Sequence, residues 1–223
     1  MKTSELIQRK VVIPPIGLQG DLVIPANAPA VIAFAHGSGS SRHSPRNQYV
    51  ARVFEQGGLA TLLFDLLTSD EERIDARTAH LRFDIALLGR RLAAATTWLK
   101  KDADTRELRV GYFGASTGAA AALVAAAERP EDVYAVVSRG GRPDLAGAML
   151  AAVKAPTLLI VGGDDTPVIA MNQDALEQLP VSEKELVIVP GATHLFEEPG
   201  ALEEVAALAC DWFQKELKEP RRP

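Results

Sequence analysis

The pentapeptide Gly114-Ala115-Ser116-Thr117-Gly118 stands directly after the run Arg109-Val110-Gly111-Tyr112-Phe113 and directly before an alanine-rich segment. A strand that turns sharply into a helix at such a G-x-S-x-G holds its middle residue in a strained backbone. The flanking glycines leave out the Cβ atoms that would collide there. Ser116 would then present its hydroxyl at the carboxyl end of a sheet, beside the unpaired N–H groups and positive dipole end of the following helix. The plainer reading of the same residues is a serine that caps a helix. A hydroxyl becomes a working nucleophile only when an imidazole takes its proton and a carboxylate holds that imidazole. Two later apolar runs end in loops that carry such groups. Thr157–Val161 leads into Gly162-Gly163-Asp164-Asp165-Thr166-Pro167, and Leu186–Val189 leads into Pro190-Gly191-Ala192-Thr193-His194. Of the remaining histidines, His80 falls inside a helical stretch, His43 sits among Ser and Arg in a loop, and His36 reads as structural.

A second glycine-rich turn, His36-Gly37-Ser38-Gly39-Ser40, follows the run Val31–Ala35. A phosphate-cradling loop of the Walker type needs Gly-Lys-Ser/Thr at its end, and the chain has neither that nor G-x-G-x-x-G, so no nucleotide cofactor is expected. Arg42 and Arg46 follow in the same loop, where they either hold an anionic group of a substrate by charge-assisted hydrogen bonds or remain solvated. With four histidines, one cysteine and no HExxH or CxxC spacing, no metal site is expected.

Strand-length apolar runs recur at Val11–Ile13, Leu22–Ile24, Val31–Ala35, Ala60–Phe64, Leu108–Phe113, Val133–Ser138, Thr157–Val161 and Leu186–Val189. From Val31 onward each is followed by a turn and a helix-length segment, the alternation of a parallel sheet flanked by helices. The spacing predicts helices over Pro45–Gln56, Ala79–Lys100, Thr117–Glu128, Asp144–Ala152, Val168–Gln178 and Ala201–Lys218. In the last, Val205, Leu208, Ala209, Trp212, Phe213 and Leu217 share an apolar stripe. Only turn chemistry separates the first two runs, which predicts an antiparallel hairpin at the sheet edge. The charge run Ser69 to Arg73 reads as a solvated loop or a helix start. About fifteen residues between Phe64 and the helix near Ala79 are too few for a cap domain, so an open pocket is expected.

The chain has 223 residues, 47% of them hydrophobic and 24% charged, with 24 Lys+Arg against 29 Asp+Glu and a net charge of −5. That balance excludes a disordered or fibrous chain and offers no basic footprint for nucleic acid. One domain over 1–223 is expected, its core over about 10–217. The single cysteine, Cys210, can form no internal disulfide and reads as a packing residue. No apolar run reaches membrane-spanning length, and the first ten residues show no signal-peptide core, so a cytoplasmic protein without membrane attachment is expected. The closing Glu219 to Pro223 reads as a frayed tail, and a homodimer is left open.

The motifs HGSGS, GYFGASTG, VGGDD and GATHLF, in this order, resemble the α/β-hydrolase superfamily. More narrowly the chain is similar to the dienelactone-hydrolase-like group of small members, over about residues 10 to 217. The resemblance implies an α/β-hydrolase fold: a mostly parallel eight-stranded sheet with helices on both faces and no cap domain. It also implies a triad of Ser116, Asp165 and His194, with Asp165 favoured over Asp164 by its place before Thr166-Pro167-Val168. The backbone N–H groups of Ser38 and Thr117 would then form the oxyanion hole. True dienelactone hydrolases carry cysteine at the elbow, whereas position 116 is serine. The activity this points to is cleavage of a small-molecule carboxylic ester or lactone through an acyl-enzyme. A thioesterase or peptidase on the same triad, or a noncatalytic binding module on the same fold, are the alternatives.

Overall fold

The structure, a computed structural model, describes residues 6–219. Residues 220–223, most of the expected tail, lie outside the described residues. Eight strands form one sheet: β1 (Ile7–Ile13), β2 (Leu18–Ile24), β3 (Ala30–Ala35), β4 (Ala60–Phe64), β5 (Arg109–Ala115), β6 (Val133–Arg139), β7 (Thr157–Gly162) and β8 (Lys184–Val189). Their spatial order is β1-β2-β4-β3-β5-β6-β7-β8. β1 and β2 form the expected antiparallel hairpin, β2 runs antiparallel to β4, and the rest of the sheet is parallel. The central strands are apolar without alternation because both sheet faces are covered, and every residue of β3, Ala-Val-Ile-Ala-Phe-Ala, is buried.

Two cores result, one on each face. On one face α1 (Pro45–Gln56) and α6 (Ala201–Lys218) place Val50, Phe54, Val205, Ala209 and Phe213 against the sheet. Phe54 meets Phe113 and Phe213 edge-on at 5.6 and 5.5 Å between ring centroids, a favoured arrangement for aromatic rings. On the other face lie α2 (Ser69–Thr78), α3 (Ile85–Leu99), α4 (Thr117–Glu128) and α5 (Thr166–Gln178), with Leu88, Leu92, Ala121 and Leu123 in the core. The alanines of α4 let this helix sit directly on the sheet, and all of its residues from Thr117 to Ala126 are buried.

Two expected helices differ in detail. The stretch read as one helix from Ala79 to Lys100 is split: α2 closes at Ala79, which takes the left-handed conformation with φ 54°, and a 3-10 turn over Leu81–Phe83 precedes α3. The stretch Asp144–Ala152 is 3-10 rather than α-helical, starts at Pro143, and is interrupted where Gly147 adopts φ 53° and ψ −134°.

Candidate active site

The tight turn between β5 and α4 carries Ser116 at φ 51° and ψ −122°, a region that ordinary L-residues avoid at a cost on the order of 1–3 kcal/mol. Three hydrogen bonds hold it there. Ser116 N–H donates to the carbonyl of Arg139 at 3.2 Å, and the Ser116 carbonyl accepts from the amides of Ala119 and Arg142 at 3.1 Å each. Close approach explains the flanking glycines. A Cβ on Gly114 would stand 2.5 Å from Ala119 Cα, and one on Gly118 would overlap the Ala35 carbonyl oxygen. The loop after β6 is tied down in turn by Asn172, whose amide donates to the Gly141 carbonyl at 3.0 Å.

His194 and Asp165 meet 29 residues apart in sequence, with His194 Nδ1 2.6 Å from Asp165 Oδ2. With the Nδ1 proton donated to the carboxylate, Nε2 is left as a lone-pair acceptor, the tautomer a general base needs. Asp164 is turned outward and exposed, and only its amide is used, donating to the Ala192 carbonyl at 3.0 Å. The His194 loop folds across the end of β6: a Cβ on Gly140 would lie 3.0 Å from the His194 carbonyl oxygen. Since Gly140 follows Arg139, the residue bonded to Ser116 N–H, the histidine loop and the serine turn are close neighbours. Among the described residues the histidine–aspartate pair is formed, whereas Ser116 Oγ makes no hydrogen bond. Such bonds often tighten only when substrate is bound.

The HGSGS turn packs against the elbow, with the Cβ position of Gly37 3.1 Å from Ser116 Cβ. Neither Ser38 N–H nor Thr117 N–H donates to an acceptor among the described residues. His36 is buried behind them. Its Nε2 accepts the Leu66 amide at 3.1 Å while Nδ1 lies 3.0 Å from the Gly37 carbonyl. Burial pulls its pKa below the usual histidine value, so the neutral ring pins the turn.

A cavity of about 590 Å³ opens beside this turn, lined among others by Ser38, His43, Arg46, Glu72 and Arg82. Burial, and after it the Asp65 carboxylate, raise the pKa of Glu72 at its wall. Arg42 does not line the cavity: its guanidinium is paired with Asp65 and lies 3.5 Å from Asp21. These contacts brace the turn against the neighbouring strands. Arg46 lines the cavity and pairs with Glu197 at 2.7 Å. Arg139, which no motif in the sequence singles out, ends β6 next to the elbow and is 8% exposed. Its only signal in the sequence is a cation at the end of the apolar run Val133–Ser138. Among the described residues no cluster of His, Cys, Asp and Glu is suited to a metal ion, and no helix is long and apolar enough to cross a membrane.

A family model described as the dienelactone hydrolase family matches residues 18–218. A solved dienelactone hydrolase from Anabaena variabilis ATCC 29413 is 66% identical, covers 95% of this chain and 97% of its own, and superposes with a TM-score of 0.91. Est1E from Butyrivibrio proteoclasticus shares the fold at 16% identity, with a TM-score of 0.76 over 94% of this chain and 99% of its own. A curated putative phosphoribosyl transferase of Mycobacterium tuberculosis is 58% identical over 211 residues, 95% of this chain, but the chain spans only 46% of that relative's length. On the family match and the Anabaena likeness, the chain belongs to the dienelactone hydrolase family and has its α/β-hydrolase fold.

Proposed function

We propose that the chain is a serine hydrolase that cleaves a carboxylic ester or lactone through an acyl-enzyme. The observation that carries this reading is the 2.6 Å bond between His194 and Asp165 on loops adjoining the strained Ser116 turn. In the proposed reaction His194 Nε2 takes the Ser116 proton as Oγ attacks the carbonyl carbon, and Asp165 stabilises the imidazolium that forms. The amides of Ser38 and Thr117 bind the tetrahedral oxyanion. The carbon–oxygen bond to the leaving alcohol then breaks, and the imidazolium returns the proton to that oxygen. Water, deprotonated by the same imidazole, attacks the acyl-enzyme; the bond between the acyl carbon and Ser116 Oγ breaks, the imidazolium returns its proton to Oγ, and the acid is released. Family membership and the fold support hydrolysis, and the open amides beside Ser116 support acyl transfer. We read the transferase in the mycobacterial relative's name as belonging to the part of that protein this chain does not span.

Labelling with a fluorophosphonate probe, together with turnover of p-nitrophenyl esters, tests the reading. The wild type is expected to be labelled at Ser116 and to turn over short esters. Ser116→Ala is expected to lose the label and on the order of 10⁶ in kcat, the size of loss seen when a triad nucleophile is removed. An unlabelled wild type, or a variant with undiminished turnover, overturns it.

A further inference from the structure

Asn172 stands between Val168 and Ala175 on the buried stripe of α5, where an apolar side chain would pack with no polar atom to satisfy. It is fully removed from solvent. Its Nδ2 donates to the Val168 carbonyl at 2.8 Å and to the Gly141 carbonyl at 3.0 Å. Both amide hydrogens are thereby used, and a turned-over amide would set an oxygen against two oxygens, so the orientation of the group is fixed. Oδ1 is sealed from solvent and has no hydrogen-bond partner among the described residues. A buried acceptor left open is costly, and a residue that breaks the packing rule in this way is expected where a site must be held. The segment that Asn172 fastens is the one that grips the serine. Arg139, two residues before Gly141, takes the Ser116 N–H on its carbonyl at 3.2 Å, and Arg142, the residue after it, donates its amide to the Ser116 carbonyl at 3.1 Å. Gly141 itself is wedged: a Cβ there would overlap Ser138 Oγ and lie 2.6 Å from Ala119 Cβ. At its other end Asn172 belongs to the helix that starts at the acid. Asp165 is the N-cap of α5, and its carbonyl accepts the amides of Val168 and Ile169 at 3.0 and 3.1 Å. One side-chain amide therefore joins the first turn of the acid's helix to the clamp on the serine.

We propose that Asn172 is a positioning residue of the active site: by tying Gly141 to α5 it sets where Ser116 Oγ stands relative to the His194–Asp165 pair, without touching substrate. The role rests on the serine-hydrolase reading. Proton transfer from Oγ to His194 Nε2 and attack on the carbonyl carbon both depend on that separation, and a misplacement of about 1 Å costs on the order of 10²-fold in rate. Substrate binding does not depend on it, since Asn172 is buried and is not among the residues that line the cavity.

Two variants separate the latch from the helix. Asn172→Leu keeps the shape of the side chain and removes both donors. Asn172→Thr keeps one of them, because a helical threonine in this chain donates to the carbonyl four residues back, as Thr96 does to Leu92 at 3.1 Å, while its shorter side chain does not extend to Gly141. With p-nitrophenyl butyrate, each variant is expected to lose about 10- to 100-fold in kcat, with KM within about twofold of wild type. Labelling by a fluorophosphonate is expected to reach the wild-type stoichiometry at a rate lowered by the same order. A residue that served folding alone would give the opposite pattern, a smaller fraction of chains labelled at an unchanged rate. Should Asn172→Leu not fold, Asn172→Thr decides. That opposite pattern, an unchanged kcat, or a loss carried by KM overturns the positioning role, and Ser116-dependent labelling of the wild type then leaves the hydrolase reading standing. A wild type that takes no label overturns the hydrolase reading, and the positioning role falls with it.

Discussion

The elbow serine is held by its main chain, whereas the turn that faces it is pinned by a side chain. His36 acts there as a neutral strut, accepting the Leu66 amide on Nε2. Protonation would turn that acceptor into a donor facing an N–H. In the unfolded chain this histidine titrates near the ordinary histidine value of 6.5, whereas burial lowers its pKa in the fold. Between those two values the unfolded chain binds a proton that the folded one refuses. The contribution of His36 to stability is therefore full above about pH 6.5 and is lost as pH falls toward its folded pKa. Urea melts between pH 7.5 and 5 are expected to show midpoints that decline with acidification, with a slope from this group of up to about 1.4 kcal/mol per pH unit. His36→Gln is expected to be less stable at pH 7, by roughly 1–3 kcal/mol for a buried amide left unpaired, and to lose that part of the slope. An unchanged slope in the variant removes the strut.

Helix α2 forms part of the cavity wall, through Glu72 and Asp75, and it is a short, polar helix that depends on its ends. Thr68 Oγ1 accepts the Glu71 amide at 3.3 Å, and the Glu71 carboxylate accepts the Thr68 amide at 2.8 Å, a reciprocal box. Glu71 also pairs with Arg91 on α3, so the cap fastens the wall to the body of the protein. Thr68→Ala is expected to cost about 1 kcal/mol in a chemical melt. If α2 shapes the pocket, KM for a short ester rises while kcat holds. The signature T-x-x-E was in the sequence, yet the run after it read as a loop or a helix start because it carries no apolar stripe. The break at Ala79 was hidden for a different reason. An alanine with φ 54° has no compositional mark, and Asp84, which caps α3 by accepting the Leu87 amide at 2.9 Å, lies inside the run that reads as one helix. The strands were legible because burial on both faces leaves an unbroken apolar run. The serine, aspartate and histidine were legible because each follows such a run. Arg139 was not, since a cation at a strand end reads as solvated until the fold shows what surrounds it.

At the scale of the whole molecule the sheet is the shared wall of two cores, and the candidate site sits where loops from both faces meet at its carboxyl edge. Ser116 heads α4 on one face, and the His194 loop leads into α6 on the other. If the chain is one domain, as its length suggests, neither core can melt while the other stays folded, because β3, β5 and β6 supply side chains to both. Leu92 is fully buried against one face and Phe213 against the other. Truncating either leaves a cavity that costs about 2–5 kcal/mol, which lowers Tm by roughly 4–20 °C in a chain of this size. Leu92→Ala and Phe213→Ala are each expected to shift one sharp transition, read alike by far-ultraviolet circular dichroism and by tryptophan fluorescence from Trp98 on α3 and Trp212 on α6. A variant in which the two tryptophan environments melt at different temperatures would mean that the faces fold apart. The precise setting of Ser116 against His194 would then depend on a junction between two units rather than on one continuous sheet.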